Sequence, residues 1–394
     1  MSFPVYIEKM NVDSRFYQEK MDNLRTAEAA YSNNSLESSL YPVKINAQIT
    51  DACNLNCIIC PIKRPLKNPH VMDIEVFENI AHAVFPYSIL FSPTDIGEPL
   101  IYPWFDKICN LLKEYDVLLD LTTNGTLLNR DISEKILSVA ADIKISFDGF
   151  NNVTFEGIRC GAKKGLVERK LLELSSIRQE IAYPQYPEIT VQSTILRRNI
   201  SEIPDIVNLA YSAGADRVKA YYLISYRSET DDEVLAGEDE EYRSYLSEAH
   251  DLAKSYSMQI ELAEYSTHIR DLDLKRVNCK NPWYQTWIDY NGDLYPCHSH
   301  RGFSCGNIGK GFSSVWNGHY YRQLRRSIIN NKSGSICHNC GMQYSQSNDQ
   351  SFAPYDRKNF FSNNASNPKI DDQIRWSART RLFDLNRRDN LVLQ

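Results

Sequence analysis

From Val43 onward the chain repeats one unit, an apolar strand-like run followed by a segment with helical spacing. The strand-like runs are VKINAQIT (43–50), SILFSPT (88–94), VLLDLTT (117–123), ADIKISFDG (141–149), EITVQSTIL (188–196) and DRVKAYYLI (216–224). Helical spacing falls between them, at Asp73–Val84, Pro103–Tyr115, Ile132–Ala140, a long stretch to about Ile181, and Ile203–Ser212. Strands that alternate with helices build βαβ units and a parallel sheet. Six such units predict an α/β fold, a partial (β/α)6 TIM-like barrel.

The barrel occupies residues 42–225 of a 394-residue chain, so other parts flank it. Residues 1–41 read as an N-terminal helical extension. Residues 226–270 read as a connection: an acidic, solvated stretch (226–242), a helix over Glu241–Tyr256, and a further strand in QIELAE. Residues 271–344 change texture, with more Gly, Asn, His and Cys, and form a second, smaller module. Residues 345–394 are a polar tail.

The formal net charge of −6 argues against a general nucleic-acid binder, which carries a basic surface. No apolar run has signal-peptide or membrane-spanning length, so the expectation is a cytoplasmic protein without a membrane partner. In that reducing setting ten cysteines point to metal ligands or catalysts rather than disulfides.

Cys53, Cys57 and Cys60 read C-x3-C-x2-C in ITDACNLNCIICP, directly after the first strand. A loop of this length can wrap three thiolates around one centre. A four-iron cubane normally takes four cysteines, so three leave one iron open to bind a small molecule. The competing reading is structural zinc, for which His70 is the one nearby fourth ligand. A second group comprises Cys279, Gly292 and Cys297 (G-x4-C) and the Cys337/Cys340 pair (C-x2-C). Cys279, Cys297, Cys337 and Cys340 make a four-thiolate set that suits zinc or iron–sulfur equally by spacing.

The first group resembles the defining motif of the radical S-adenosylmethionine (SAM) superfamily. Other motifs agree in order: Gly97-Glu98-Pro99 after the second strand, Thr123-Asn124-Gly125 after the third, and Ser146 and Asp148 in SFDG at the end of the fourth. The resemblance runs from about Val43 to Leu223 and implies a [4Fe–4S] cluster on Cys53, Cys57 and Cys60. It implies SAM on the open iron, with Gly97, Glu98 and Pro99 at its amino group. It further implies Asn124, Ser146 and Asp148 along the site, and Arg159 at the SAM carboxylate. The second group resembles the truncated SPASM module called twitch, found in carbohydrate-acting enzymes such as 2-deoxy-scyllo-inosamine dehydrogenase. That likeness implies one auxiliary [4Fe–4S] cluster on Cys279, Cys297, Cys337 and Cys340. Gln346 and Gln350 stand where a full SPASM pattern has further cysteines.

Three cysteines remain. Cys109 sits in the helical pattern FDKICNLL and reads as core; Cys160 lies in a Gly-flanked turn. Cys305 lies between the second-group cysteines and is the candidate hydrogen donor, because related epimerases use a non-ligand thiol. The resulting expectation is hydrogen abstraction from a carbohydrate or aminocyclitol-type substrate, ending in dehydrogenation or epimerisation. Asp148, Gln192, Arg198, Tyr221 and Tyr222 are its polar pocket candidates, and a flavodoxin or ferredoxin the electron donor. One alternative is a maturase that epimerises or cross-links a ribosomal peptide; another is a zinc-stabilised binding protein. His298 and His300 follow Cys297 closely and read as solvated neighbours, the alternative being that one of them coordinates or hydrogen-bonds the second cluster.

Overall fold

The computed structural model describes residues 4–181, 186–235, 240–262, 279–300, 304–332 and Cys337. Seven parallel strands follow chain order: β1 (Lys44–Ala47), β2 (Leu90–Ser92), β3 (Leu118–Thr123), β4 (Ala140–Ser146), β5 (Glu188–Ile195), β6 (Arg217–Tyr222) and β7 (Gln259–Leu262). Six of these answer to the expected runs, and QIEL supplies the seventh. The seven residues of β4 are all buried, as expected for a parallel strand covered on both sides. Helices fill the connections. Asp73 caps Ile74–Val84 by accepting from the Glu75 amide, and Asn129 caps Arg130–Leu137 by accepting from Ile132. The molecule is a mixed α/β protein on a mostly parallel, TIM-like sheet.

An open barrel leaves the outer edge of its first strand free, and here the second module takes that edge. β8 (Gln285–Ile288) pairs parallel with β1, from Lys44 opposite Gln285 to Ala47 opposite Ile288. β9 (Asp293–Tyr295) returns antiparallel to β8, and β10 (Gly306–Asn307) continues beside it. All ten strands form one sheet in the order β10-β9-β8-β1-β2-β3-β4-β5-β6-β7. The second module is thus an extension of the barrel sheet.

The N-terminal ends of the strands carry a buried charge network. Lys44 Nζ lies 2.5 Å from Asp120, and Lys144 contacts Asp120 and also Asp142 at 3.0 Å. Arg217 joins Asp142 (2.6 Å) to Glu188 (3.1 Å) and Glu261 (3.2 Å). Burial opposes ionisation of Asp120, but Lys144 and then Lys44 outweigh it and hold the carboxyl well below its ordinary range. The N-terminal extension covers this end. Helix Tyr17–Ser32 agrees with the expected helix, and buried Lys20 donates to the carbonyls of Phe85 (2.9 Å) and Ser88. Tyr6 is buried above the network, and Lys9 donates to Tyr186 O at 2.8 Å.

One expectation is corrected here. The acidic stretch after residue 226 is not a solvated linker throughout. Ser228–Glu233 forms a 3-10 turn, Arg197 N donates to Glu233 O at 2.9 Å, Arg198 Nε to Glu233 Oε1 at 2.7 Å, and Leu235 is buried. Arg198 holds the Glu233 carboxylate, and Arg197 Nε donates to Asp232 O at 3.0 Å, so the loop after β5 ties this stretch to the barrel. The helix expected over 241–256 spans Glu240–Ser255. The polar tail from 345 lies outside the described residues.

Candidate active site

The loop after β1 carries Cys53, Cys57 and Cys60, all half-buried on one cleft of about 260 Å³ at the C-terminal ends of the strands. This is the rim where parallel barrels hold their chemistry. Backbone pairing shapes the loop: Asn56 N donates to Cys160 O and Ile58 N to Ile158 O, both at 2.9 Å. The end of helix Asn152–Ile158 is thereby clamped against the cysteines, and Arg159 is delivered to the cleft wall.

Gly97 packs against the start of the same loop. Its φ is +104°, and an added Cβ would lie 2.5 Å from Thr50 O and 2.9 Å from Ala52 O. Only glycine tolerates both the conformation and the approach. Glu98 N donates to Ala52 O at 2.8 Å. The Glu98 carboxylate turns inward, accepting from Thr123 Oγ1 (2.6 Å) and Asn124 N (2.8 Å). Burial raises its pKa against these bonds. Asn124 Nδ2 in turn donates to Asn54 Oδ1 at 2.9 Å. Glu98 therefore braces the turn after β3 against the cysteine loop, beside whatever the cleft holds.

Ser146 and Arg159 line the cleft; Asp148 is fully buried behind it. Asp148 Oδ1 accepts from Thr194 N at 2.6 Å, and its Oδ2 lies 2.5 Å from Arg159 Nε. Arg64, Tyr226, Asp95 and His298 complete the wall. Tyr226 and Asp95 carried no spacing signal; Arg64 is visible only as a basic residue four after Cys60, and His298 only as the neighbour of Cys297. Of the expected polar pocket residues, none lies on the cleft wall. Arg198 is bound to Glu233, Tyr222 is core, and Lys219 Nζ sits over the Tyr221 ring. Gln192 is a β5 residue whose carbonyl accepts from Phe147 N at 2.7 Å.

The residues fit an iron–sulfur cluster at the first group. Burial raises the Cys53 thiol, and Cys57 to about 11, so the thiolates form as metal binds and displaces protons. Among the described residues no group of three is gathered for a single metal ion. A cubane does not need that, because each thiolate takes a different iron. His70 is not among the residues lining the cleft; its Nδ1 lies 2.8 Å from Asp51 Oδ2 and its ring stacks on Tyr290 at 4.1 Å. The zinc reading of this group loses its fourth ligand.

In the second module Gly292 (φ +82°) makes the β8–β9 turn, which sets Cys297 just beyond β9. Cys279 and Cys337 pack on one small core with Trp283 and Ile328; Cys340 lies outside the described residues. The two histidines are not simply solvated. His300 Nδ1 is 3.1 Å from Cys297 Sγ, and His298 Nδ1 is 2.6 Å from Asp95, on the loop after β2. The second module thus reaches the wall of the first cleft. Cys305 is largely buried near Cys297, its thiol pushed up to about 12 by burial and then by Cys297, and it is absent from the cleft lining. Cys109 is core, as expected, and Cys160 Sγ bonds Gly157 O at 3.4 Å.

The model of the radical SAM superfamily matches residues 47–171, and that of SPASM, an iron–sulfur cluster-binding domain, matches 279–341. The chain carries a radical SAM domain and a SPASM-type module. SAM, a [4Fe–4S] cluster and auxiliary iron–sulfur ligation follow from those two domains. The chain is 22% identical to a tungsten-containing aldehyde ferredoxin oxidoreductase cofactor-modifying protein of Pyrococcus furiosus, over 75% of this chain and 86% of that one. It is 24% identical to the PqqA peptide cyclase of Gluconobacter oxydans, over 66% and 70%. Its fold resembles that of Streptococcus suis SuiB. SuiB bound to SAM gives a TM-score of 0.60 at 16% identity, covering 87% of this chain and 83% of that one. SuiB bound to its precursor peptide SuiA gives 0.58 at 15%, covering 80% and 73%. Among the described residues no helix is long and apolar enough to cross a membrane.

Proposed function

We propose that this radical SAM enzyme is a maturase acting on a ribosomally made peptide, by epimerising or cross-linking it. This alternative is better supported than the carbohydrate reading, which rested on the spacing of the second cysteine group and on an N-terminal extension short for a peptide-recognition domain. What carries it is the likeness to the PqqA peptide cyclase over two thirds of the chain, beside the fold shared with peptide-bound SuiB. The N-terminal extension packs under the barrel, on the end away from the cysteines, so substrate recognition falls to the rim or to a separate chain.

In this reading Cys53, Cys57 and Cys60 hold three irons, and Cys279, Cys297, Cys337 and Cys340 hold an auxiliary cluster. When bound, the first cluster and SAM supply a carbon-centred radical that removes a hydrogen atom from substrate. Gly97 lets its backbone close on the cysteine loop, and Glu98 keeps the Asn124 turn rigid. Ser146, Asn124 and Arg159 line the space for SAM. Asp95 and His298 join the second module to the rim, so a peptide in the cleft meets residues of both. A flavodoxin or ferredoxin is the proposed electron source.

The test uses protein reconstituted without oxygen. About eight irons per chain, falling to about four in a Cys53/Cys57/Cys60→Ala variant, are expected for two cubanes. With SAM and dithionite, small peptides encoded beside this gene should raise 5′-deoxyadenosine formation and show changed mass or altered stereochemistry. Stimulation by aminocyclitols but by none of the peptides would restore the carbohydrate reading.

A further inference from the structure

Two arginines hold the first cysteine loop by its backbone while leaving their charge unspent. Arg64 Nη1 donates to Asp51 O, and Arg64 N donates to Asn56 Oδ1 at 2.8 Å. Its side chain is buried and lines the cleft, yet Nη2 has no hydrogen-bond partner among the described residues. Arg227, on the loop after β6, donates from Nη2 to Cys57 O at 2.7 Å, and its buried Nε is likewise without a partner among them. The Arg227 loop is itself pinned: the Arg227 carbonyl accepts from Ser225 Oγ (2.8 Å) and Thr230 Oγ1 (2.9 Å). Among the described residues neither guanidinium pairs with a carboxylate, whereas the nearby Arg159 is offset by Asp148 at 2.5 Å. The loop could be held by neutral donors, so two fixed, uncompensated cations ask for an anion.

We propose that Arg64 and Arg227 are positioning residues that set the reduction potential of the cluster on Cys53, Cys57 and Cys60. The inference rests on that triplet holding a cluster. Three thiolates make the cluster anionic, and reduction adds one more negative charge. A fixed cation in a poorly hydrated site favours the more negative state, since net charge and hydrogen bonds set such potentials. One electron leaves an external low-potential donor of flavodoxin or ferredoxin type, and the cluster gains it; no proton or bond changes in that step. Arg64 also works against burial at the Cys53 thiol, in keeping with its nearness.

The experiment is a redox titration of the anaerobic full-length protein, followed by the EPR signal that changes when SAM is added. Arg64→Gln and Arg227→Gln keep donors but lose the charge; Arg64→Lys and Arg227→Lys keep the charge. At the potential that half-reduces wild type, each Gln variant should show a reduced-to-oxidised ratio about tenfold lower, which is a shift of about 59 mV for one electron. The Lys variants should stay within about twofold of wild type. The proposal is overturned if Gln variants titrate like wild type, if Lys falls as far as Gln, or if a Gln variant loses its iron, since the arginine is then only a brace. A wild-type protein with no SAM-responsive signal, matching the triple cysteine variant, would overturn the cluster reading itself and this inference with it.

Discussion

Alanine at position 97 would place a methyl group 2.5 Å from Thr50 O and 2.9 Å from Ala52 O. Neither oxygen is on a side chain that could swing aside. The Thr50–Ala52 backbone would have to retreat by most of an ångström, and Cys53 is the next residue. Holding alanine at φ +104° costs about 1–3 kcal/mol in backbone strain. Overpacking against rigid backbone costs about 1–3 kcal/mol more. The expected loss of stability is therefore about 3 kcal/mol, partly relieved by movement of the cysteine loop. That movement is the functional consequence: the three thiolates lose their common cleft. Chemical unfolding of the anaerobic protein reads the stability, and iron content with the SAM-responsive EPR signal reads the site. Gly214→Ala is the control, because Gly214 also has a positive φ of +73° and meets the Ser175 hydroxyl, far from the cysteines. It should cost stability and keep the iron. Gly97→Ala protein with wild-type iron, wild-type SAM cleavage and unchanged stability would refute the argument that this close approach shapes the loop.

Asp120→Asn removes the carboxylate shared by Lys44 and Lys144, and breaking so buried a set should cost about 3–5 kcal/mol in urea unfolding while iron content stays at the wild-type value. Because the folded-state pKa of Asp120 is depressed, its contribution is present above the unfolded value of about 3.9 and is lost as pH falls below it. The gap between wild type and Asp120→Asn should accordingly be flat from neutrality to about pH 5 and narrow in stronger acid. Cys305→Ala should lose about 1–2 kcal/mol of packing but leave SAM cleavage and the product unchanged, because Cys305 lies off the cleft; a product change, with deuterium from solvent no longer incorporated, would return it to the hydrogen-donor role. His298→Ala breaks a half-exposed contact and should cost under about 1 kcal/mol, yet raise the substrate concentration needed for half-maximal 5′-deoxyadenosine formation if the substrate spans both modules.

The chain's own pattern determined the parallel sheet, because buried strands read as apolar runs and helices as 3.6-residue spacing, both of which are local. It also determined the cysteine loop and the order of Gly97-Glu98-Pro99, Asn124-Gly125 and Ser146, since parallel strands return each C-terminal end to the same rim. Local pattern had nothing to say about partners distant in the chain. Glu98 read only as a ligand contact; that it also braces the turn after β3 was not legible, because Thr123 and Asn124 arrive beside it only when β2 and β3 pair. The second module looked separate and shares the sheet, because the free edge of β1 exists only once the barrel fails to close. Arg64, Arg227 and the Asp95–His298 contact carry no motif at all. Their roles come from burial and from what stands opposite them, and those are properties of the folded chain, decided by packing across 203 residues in the case of Asp95 and His298.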